Sequence, residues 1–501
     1  MRRFIWSDLD PEQRRSALAR PPQRSERALV HRVRSIVDDV RTRGWEALAQ
    51  QARVIDGSDP QLVPVAAAAE AARRDLSPDQ LAALELAVRN LRAFHEAQVP
   101  PDTELETAPG LIVRKVWRPI DRVGLYVPGG ATPLFSTLLH LAIPAQAAGV
   151  QELVVCTPPL SRDSGTSSLL RDSAPPRETN DLTRSRGERG EDALSPMIAL
   201  ATEMCGIEAV WTMGGAQAVA ALAFGAGDVP AVAKICGPGN AWVAEAKTYV
   251  AALPGGPAID MPAGPSELMV IADSSANPQW VAADLLSQAE HDPNAQVLLV
   301  TTDAALADAV AAEVALFAPT LPRHDIVERA LAGGAIVIAR SLDDAVDIAN
   351  AYAPEHLCLA VDDPEPLIAR IRNAGAVFAG HAAAETFGDY LAGSSHVLPT
   401  DGAARAWSGI NVHSFLKAMT VQQVTPAAGR ALAAPAAALA RLEGLEAHAR
   451  AADMRSDIQA PASFEEPAQA EPVEALPLLV SDEEQDSPST SSGRADVGAS
   501  S

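Results

Sequence analysis

The sequence predicts an α/β protein, with two Rossmann-like parallel-sheet domains and helical N- and C-terminal segments. The first observation behind this is a rhythm. From about residue 101, short apolar runs bounded by Gly and Pro alternate with Ala-rich stretches, as in "DRVGLYVPGG", "TLLHLAIPAQAAG" and "ELVVCTPP". That is the βαβ alternation of a parallel sheet. The second is length: 501 residues exceed what one core organises, at roughly 150 residues per domain. The third is a change of texture at both ends, where helical spacing takes over.

In order along the chain, residues 1–100 read as a helical segment. In "SERALVHRVRSIVDDVRTRGWEALAQQA", Val30, Val33, Val37 and Val40 recur at helical spacing with charges on the other side. Residues 101–250 form the first α/β domain. It is interrupted at about 161–193 by a stretch of Ser, Arg, Pro and acids with too few apolar side chains to bury, which predicts a disordered loop. The rhythm resumes through "SPMIALATEMCGIEAVWTMGG", "GAQAVAALAFG" and "AVAKICGPGNAWVAEAKTYVAAL". The second α/β domain, 251–380, carries "ELMVIADSS", "NAQVLLVTTD", "GGAIVIARSLDDAVDIANAYAPEHLCLAVDD" and "AGAVFAG". Residues 381–456 are partly helical, and 457–501 form an acidic, Pro- and Ser-rich tail expected to be disordered.

Composition removes several classes of function. A net charge of −24 repels phosphate backbones and anionic headgroups, so neither nucleic acid nor a membrane surface is an expected partner. No apolar run approaches the roughly 18 residues that cross a bilayer. The four cysteines, Cys156, Cys205, Cys236 and Cys358, lie far apart without a CxxC pair, which argues against a thiolate metal cluster and a disulfide framework. The N-terminus has arginines but no apolar h-region, and Asp8, Asp10 and Glu12 come early for a transit peptide. A cytoplasmic protein is expected.

Candidate chemistry concentrates in a few places. In "SSANPQWVAADLLSQAEHD", Asn277 is a helix N-cap and Pro278 the first helical residue. On a regular helix Gln288 and His291 would lie about 60° apart and Glu290 about 160° from Gln288, so the first two can share a ligand. A solvated helix end is the plainer reading. "APEHLCLAV" brings Glu355 and His356 to the start of a buried strand, a pairing suited to proton transfer or simply a cap. "FGDYLAGSSHVLPT" sets Asp389 and His396 in a Gly-rich, poorly helical segment, either as buried polar groups with a task or as solvated loop side chains. The glycine turns "GLYVPGG" and "ICGPGN" can bring backbone N–H groups to an anion, although neither matches GxGxxG and a turn without ligand explains them equally.

Taken together, "IDMPAGPSELMVIADSSANPQWVAADLLSQAEHD" resembles the long signature of the histidinol dehydrogenase family. The resemblance continues through "LYVPGG", "MGGAQAVAALAFG", "GPGN", "PEHL", "GDY", "HVLPT" and "EGLEAHA", covering nearly all of 1–455 but neither the loop nor the tail. It implies a zinc ion held by Gln288, His291, Asp389 and His448, which are N and O ligands suited to that metal. It implies Glu355 and His356 as the acid–base pair, and Ser266, His396 and Glu443 as further substrate contacts. Tyr126, Gln217 and Asn240 would line an NAD site. Family members are homodimers whose C-terminal segment completes the partner's active site, so 381–456 is expected to form the dimer, with Glu443 and His448 acting in trans. On one regular helix these two would be about 140° apart, with Gly444 between them. Ser395 stands where the family commonly has Asn, and "SGINVHSF" where "SGLSV" is usual, departures that touch substrate positioning.

The implied reaction is the oxidation of L-histidinol through L-histidinaldehyde to L-histidine, with two hydrides passed to NAD. His356 would take the protons and Glu355 activate water, each worth about 10² to 10⁴ in rate. Two other readings use the same residues: a relative oxidising another amino alcohol or a polar diol, and a zinc hydrolase in which Glu355 drives metal-bound water onto an amide.

Overall fold

A computed structural model of the chain describes residues 1–20, 27–129, 134–160, 194–261 and 264–459. The expected disordered loop at 161–193 and nearly all of the expected tail lie outside the described residues. The strands in chain order are β1 (Arg2–Ile5), β2 (Gln61–Pro64), β3 (Thr103–Ala108), β4 (Leu111–Pro119), β5 (Arg122–Tyr126), β6 (Glu152–Thr157), β7 (Ala209–Thr212) and β8 (Lys234–Cys236), followed by β9 (Ala258–Ile259), β10 (Glu267–Ala272), β11 (Gln296–Thr301), β12 (Ala335–Ile338), β13 (His356–Ala360), β14 (Ala376–Ala379) and β15 (Leu416–Val424).

Two six-stranded sheets dominate, in the orders β2-β7-β6-β5-β8-β9 and β1-β12-β11-β10-β13-β14. Leaving aside one added edge strand in each, the order is third-second-first-fourth-fifth in both. This is the doubly wound α/β arrangement, and its direction of winding reverses between β5 and β8 and again between β10 and β13. The strands of the second sheet are all parallel. In the first sheet β2 pairs antiparallel with β7 at the edge. A smaller sheet has the order β15-β4-β3.

The apolar sequence runs become strands buried on both faces. Along β10, Leu268, Val270 and Ala272 enter one core cluster, while Met269 and Ile271 enter the cluster on the opposite face. The first sheet divides likewise, with Val123 and Leu125 on one side and Tyr126, Val154 and Cys156 on the other. Helices therefore cover both faces, as a parallel sheet requires. Asn277 caps the helix Pro278–Ala289 as expected, its Oδ1 accepting from the N–H groups of Gln279 and Trp280, with Pro278 in the first turn.

One expectation needs correcting. The first hundred residues are not wholly helical: among the described residues five α-helices occur between Pro11 and Glu96, but Arg2–Ile5 pairs with Ala335–Ile338 as an edge strand of the second sheet. Gln61–Pro64 likewise joins the first sheet. Both are four-residue edge strands with little burial, so their apolar pattern is faint and the distant partner strand decides their conformation.

The chain divides into two compact units, Met1–Glu104 with Arg114–Val421, and Leu105–Val113 with Gln422–Ser501. The first holds both large sheets. In the second, the helix Pro426–Leu442 is capped by Thr425 and ends at Glu443. Gly444 has φ +76°, the N–H of Leu445 donates to Ala440 O at 2.8 Å, and that of Gly444 donates to Arg441 O at 3.0 Å. This pair of bonds is the Schellman turn that glycine permits. The helix Glu446–Asp453 follows. Glu443 and His448 thus stand on opposite sides of a helix break rather than on one helix, and both are exposed.

Candidate active site

The two sheets present their candidate residues at opposite strand ends. In the first sheet these lie at the carboxyl ends, beside the point where the winding reverses. Tyr126 ends β5, and the turn Gly237–Asn240 follows β8. Gly237 has φ +124°, and a Cβ there would overlap the carbonyl oxygen of Tyr126, so only glycine fits. A buried ion pair clamps this turn: Lys247 Nζ, paired with Asp260, donates to Gly237 O at 2.8 Å, and Asp260 Oδ2 accepts the Gly237 N–H at 2.7 Å.

Asn240 caps the helix Ala241–Ala252 and is itself exposed. Gln217, fully buried, donates from Nε2 to Asp56 Oδ2 at 3.1 Å, and the Gly214 N–H donates to the same oxygen at 3.1 Å. Its Oε1 has no protein partner. The Tyr126 hydroxyl accepts the Gly215 N–H at 3.2 Å. Burial first, then Cys156 and, less, Asp56, holds the Tyr126 hydroxyl above its ordinary pKa, so it remains a neutral hydrogen-bonding group. The arrangement is a set of glycine turns with one aimed, unused amide oxygen.

In the second sheet the candidate residues gather at the amino ends. Glu355 immediately precedes β13, His356 begins it, and Ser266 immediately precedes β10. The parallel pairing of β10 with β13 fixes the dyad against Glu267. The Glu267 N–H donates to Glu355 Oε2 at 2.8 Å, and Glu267 O lies 3.0 Å from His356 Nδ1. A carbonyl only accepts, so Nδ1 carries the proton and Nε2 keeps its lone pair. His356 Nε2 is buried and without a partner.

His356 Nδ1 also lies 3.6 Å from Glu355 Oε2 and 3.8 Å from Glu385 Oε1. These are not ion pairs, because the same burial neutralises both sides. Desolvation lowers His356 to about 3, with His291 and His396 contributing, and raises Glu355 well above the ordinary carboxyl range, against the pull of the Glu267 N–H. A neutral imidazole beside a carboxyl that retains its proton is a reservoir for proton exchange.

Around this dyad lie a helix end and a short helix. Gln288 is fully buried, and both its Oε1 and its Nε2 lack a protein partner. An amide left so costs free energy unless something else binds it. The helix stops at Ala289, so His291 stands two residues past its end and the 60° separation of a continued helix does not apply. His291 reaches solvent yet is crowded on most sides. Desolvation is the chief cause lowering its pKa, with Glu290 acting in the opposite sense. It lies close enough to His356 and His396 to depress both.

Asp389, expected in a poorly helical segment, belongs to the helix Glu385–Tyr390. Its Oδ1 is 3.8 Å from His396 Nδ1. One ligand atom each of His356, Glu385 and Asp389 lies within 4.8 Å of the others, an arrangement able to hold a cation. Desolvation, then mutual repulsion, raises Glu385 to about 8; desolvation raises Asp389 to about 6.

Three neighbours carry no sequence signal. Glu385 is buried, accepts from Ser287 Oγ at 3.0 Å through Oε2, and leaves Oε1 without a partner. His140, in the apolar helix Phe135–Ala147, stacks on His396 with centroids 4.1 Å apart and rings 4° from parallel, its Nδ1 accepting the His396 N–H at 3.1 Å. Thr137 Oγ1 is 3.4 Å from His396 Nε2. Burial lowers His396 to about 4, opposed by a backbone hydrogen bond involving Asp389. Of the predicted residues, Glu355, His356, Gln288, His291, Asp389 and His396 belong to the first unit, and Glu443 and His448 to the second.

The sequence profile of the histidinol dehydrogenase family matches residues 19–171 and 186–456, breaking within the predicted loop and ending at the predicted tail. The chain is 43% identical over 453 residues to histidinol dehydrogenase of Yersinia pestis, covering 90% of this chain and 94% of that one. It is 41% identical to that of Salmonella typhimurium, covering 90% and 96%. Its fold is similar to the crystal structure of histidinol dehydrogenase from Elizabethkingia anophelis, with a TM-score of 0.80 and 35% identity over 91% of this chain and 98% of that one. On these matches the chain belongs to the histidinol dehydrogenase family.

Proposed function

We propose that the protein oxidises L-histidinol through L-histidinaldehyde to L-histidine with two NAD⁺, the last two oxidations of histidine biosynthesis, as a zinc-dependent homodimer in the cytoplasm. The observation that carries this reading is the pairing of an imidazole whose tautomer is set, with Nε2 free, and a buried amide, Gln288, whose two polar atoms lack protein partners.

The zinc is assigned to Gln288, His291 and Asp389 of one chain and His448 of a second copy. The orphaned Gln288 amide supports a ligand there, and an N/O donor set suits zinc. When bound, the metal supplies a Lewis-acid grip on the amine and imidazole of the substrate. NAD is assigned to the first α/β domain, with Tyr126, Gln217 and Asn240 along its site, where the unused Gln217 oxygen suits a carboxamide N–H. When bound, it supplies the hydride acceptor.

The rest falls to the chain. His356 Nε2 takes the hydroxyl proton as the alcohol is oxidised and the hydrate proton in the second oxidation, its ring held by Glu267 O. Glu355 takes up or releases the proton of the water that adds to the aldehyde. Ser266 and His396, with Glu443 of the second copy, orient the substrate. Burial around the dyad excludes bulk water and keeps these exchanges local. Dimerisation is supported by the exposed Leu439, Leu442, Leu445 and Met454 of the C-terminal unit, 66%, 84%, 42% and 83% accessible, an apolar surface beside Glu443 and His448. A reducing compartment suits four free, buried cysteines. No helix among the described residues is long and apolar enough to cross a membrane.

The test is NADH absorbance on mixing purified protein with L-histidinol and NAD⁺, together with metal analysis. Two NADH per histidinol and one zinc per chain are expected. A zinc-loaded protein that forms no NADH would sink the reading.

A further inference from the structure

The acid–base dyad is held by two backbone atoms of one residue, Glu267, and the Glu267 side chain is itself held from a distant part of the chain. Its carboxylate is 2% accessible and faces Arg20. Arg20 Nε pairs with Oε1 and Nη2 donates to Oε2 at 2.7 Å, a two-point guanidinium–carboxylate contact. The Asp401 N–H adds a third bond, to Oε1 at 2.9 Å.

The same guanidinium grips the other strand. Arg20 Nη2 lies 3.0 Å from Tyr352 O and 3.4 Å from Ala353 O, and the group stacks over the Tyr352 ring at 3.8 Å. Ala353, two residues before Glu355, has φ +56°, a left-handed conformation that a non-glycine residue adopts only when its surroundings impose it. One side chain therefore ties the start of β10 to the segment that delivers Glu355 and His356.

We infer that Arg20 and Glu267 are positioning residues for the acid–base dyad. Neither is assigned to substrate, cofactor or metal. The pair sets where Glu267 N–H meets Glu355 and where Glu267 O meets His356, and so keeps the His356 tautomer and the aim of Nε2. Misplacement of a reacting group by about 1 Å costs on the order of 10²-fold in rate. The inference rests on the proposed acid–base role of Glu355 and His356.

The experiment compares wild type, Arg20→Ala, Arg20→Lys and Glu267→Gln as zinc-loaded full chains with L-histidinol and NAD⁺. In Arg20→Ala, kcat should fall by about 10²-fold, while the KM for histidinol and the zinc content stay within about threefold of wild type. Added guanidinium ion should recover part of the lost kcat. Arg20→Lys, which keeps the charge but not the fork, should fall between the two.

Glu267→Gln keeps the backbone groups and side-chain shape. It should lose at least about tenfold in kcat and shift the pH profile, carrying the test even if Arg20→Ala fails to fold. A readout independent of turnover is the downfield proton resonance of His356 Nδ1–H, assigned by its loss in His356→Ala. It should move or broaden in Arg20→Ala and Glu267→Gln. Wild-type kcat in a folded variant, a loss of rate explained wholly by KM or missing zinc, or an unmoved Nδ1 resonance would each overturn the inference. A wild type inactive with histidinol would sink the functional reading alone, leaving the resonance to decide this one.

Discussion

Replacing His356 with Asn separates proton transfer from architecture. The asparagine amide N–H can occupy the place of Nδ1–H and still donate to Glu267 O, now 3.0 Å from the ring nitrogen, but it has nothing where Nε2 was. Loss of a positioned base costs about 10² to 10⁴ in rate, or about 2.7 to 5.4 kcal/mol at about 1.36 kcal/mol per tenfold. His356→Ala should lose as much rate and also remove the ring N–H bond to Glu267 O, a further cost to stability of about 0.5–1.5 kcal/mol. NADH formation from histidinol measures the first effect and the difference in melting temperature between Asn and Ala variants the second. Because burial holds His356 at about 3, Nε2 is already deprotonated across the neutral range. Its protonation should therefore appear only as pH falls toward that value and not as a limb near 6.5. An Asn variant retaining more than a tenth of kcat, or melting as low as the Ala variant, would refute this division of roles.

Other residues offer independent checks. In protein stripped of metal by a chelator, Gln288→Leu should raise stability by about 1–3 kcal/mol by removing a buried amide with no partner; adding zinc should stabilise wild type and not the variant, and a destabilised metal-free variant would count against a ligand role. Gly237→Ala should weaken NAD binding and destabilise the fold by about 1–3 kcal/mol, because its φ of +124° and the Tyr126 carbonyl leave no room for Cβ; calorimetric titration with NAD⁺ reads the first effect. Asp284, on the helix Pro278–Ala289, is raised by desolvation from 3.8 to about 6, so between those values the folded state binds more protons than the unfolded state and stability falls as pH rises. The full difference is about 3 kcal/mol, but the carboxyl is part-exposed and screened, so Asp284→Asn should gain about 1 kcal/mol above pH 6 and progressively less toward pH 4; melting curves at pH 7.5 and 5 with equal gains would contradict the assigned cause.

What could be read from the sequence was local. The helix beginning at Asn277 and Pro278, the buried run of β10 and the adjacent Glu355 and His356 are set by neighbours within a few positions. Caps, two-face burial and turn glycines act over that range. What escaped reading was non-local. Arg2–Ile5 is a strand only because Ala335–Ile338 offers an edge. His140 sits in an apolar run like any core histidine, and only the fold stacks it on His396, 256 residues away. Glu385 opens a short helix as many glutamates do, and its place near His356 comes from two separate connections. The 60° reckoning between Gln288 and His291 assumed a continued helix, whereas the helix ends at Ala289.

The use of opposite strand ends has a physical logic. Where parallel strands end at their carboxyl edges, the following helices begin, and their free N–H groups favour a phosphate-bearing ligand. In the first sheet the candidate cofactor residues lie at that edge, although the Gly215 and Gly237 N–H groups themselves are taken by the Tyr126 hydroxyl and Asp260. The amino edges lack that positive field, and in the second sheet this is where Glu355, His356 and Glu267 lie. Helices end at that edge, as Leu342–Tyr352 does just before Glu355, and the negative end of a helix does not favour an ionised carboxyl. Desolvation is the leading influence on both members, raising Glu355 and lowering His356, so that near neutrality the imidazole is unprotonated and the carboxyl tends to keep its proton. On the proposed function, the carboxyl edge of the first sheet would serve the cofactor and the amino edge of the second sheet the proton transfer.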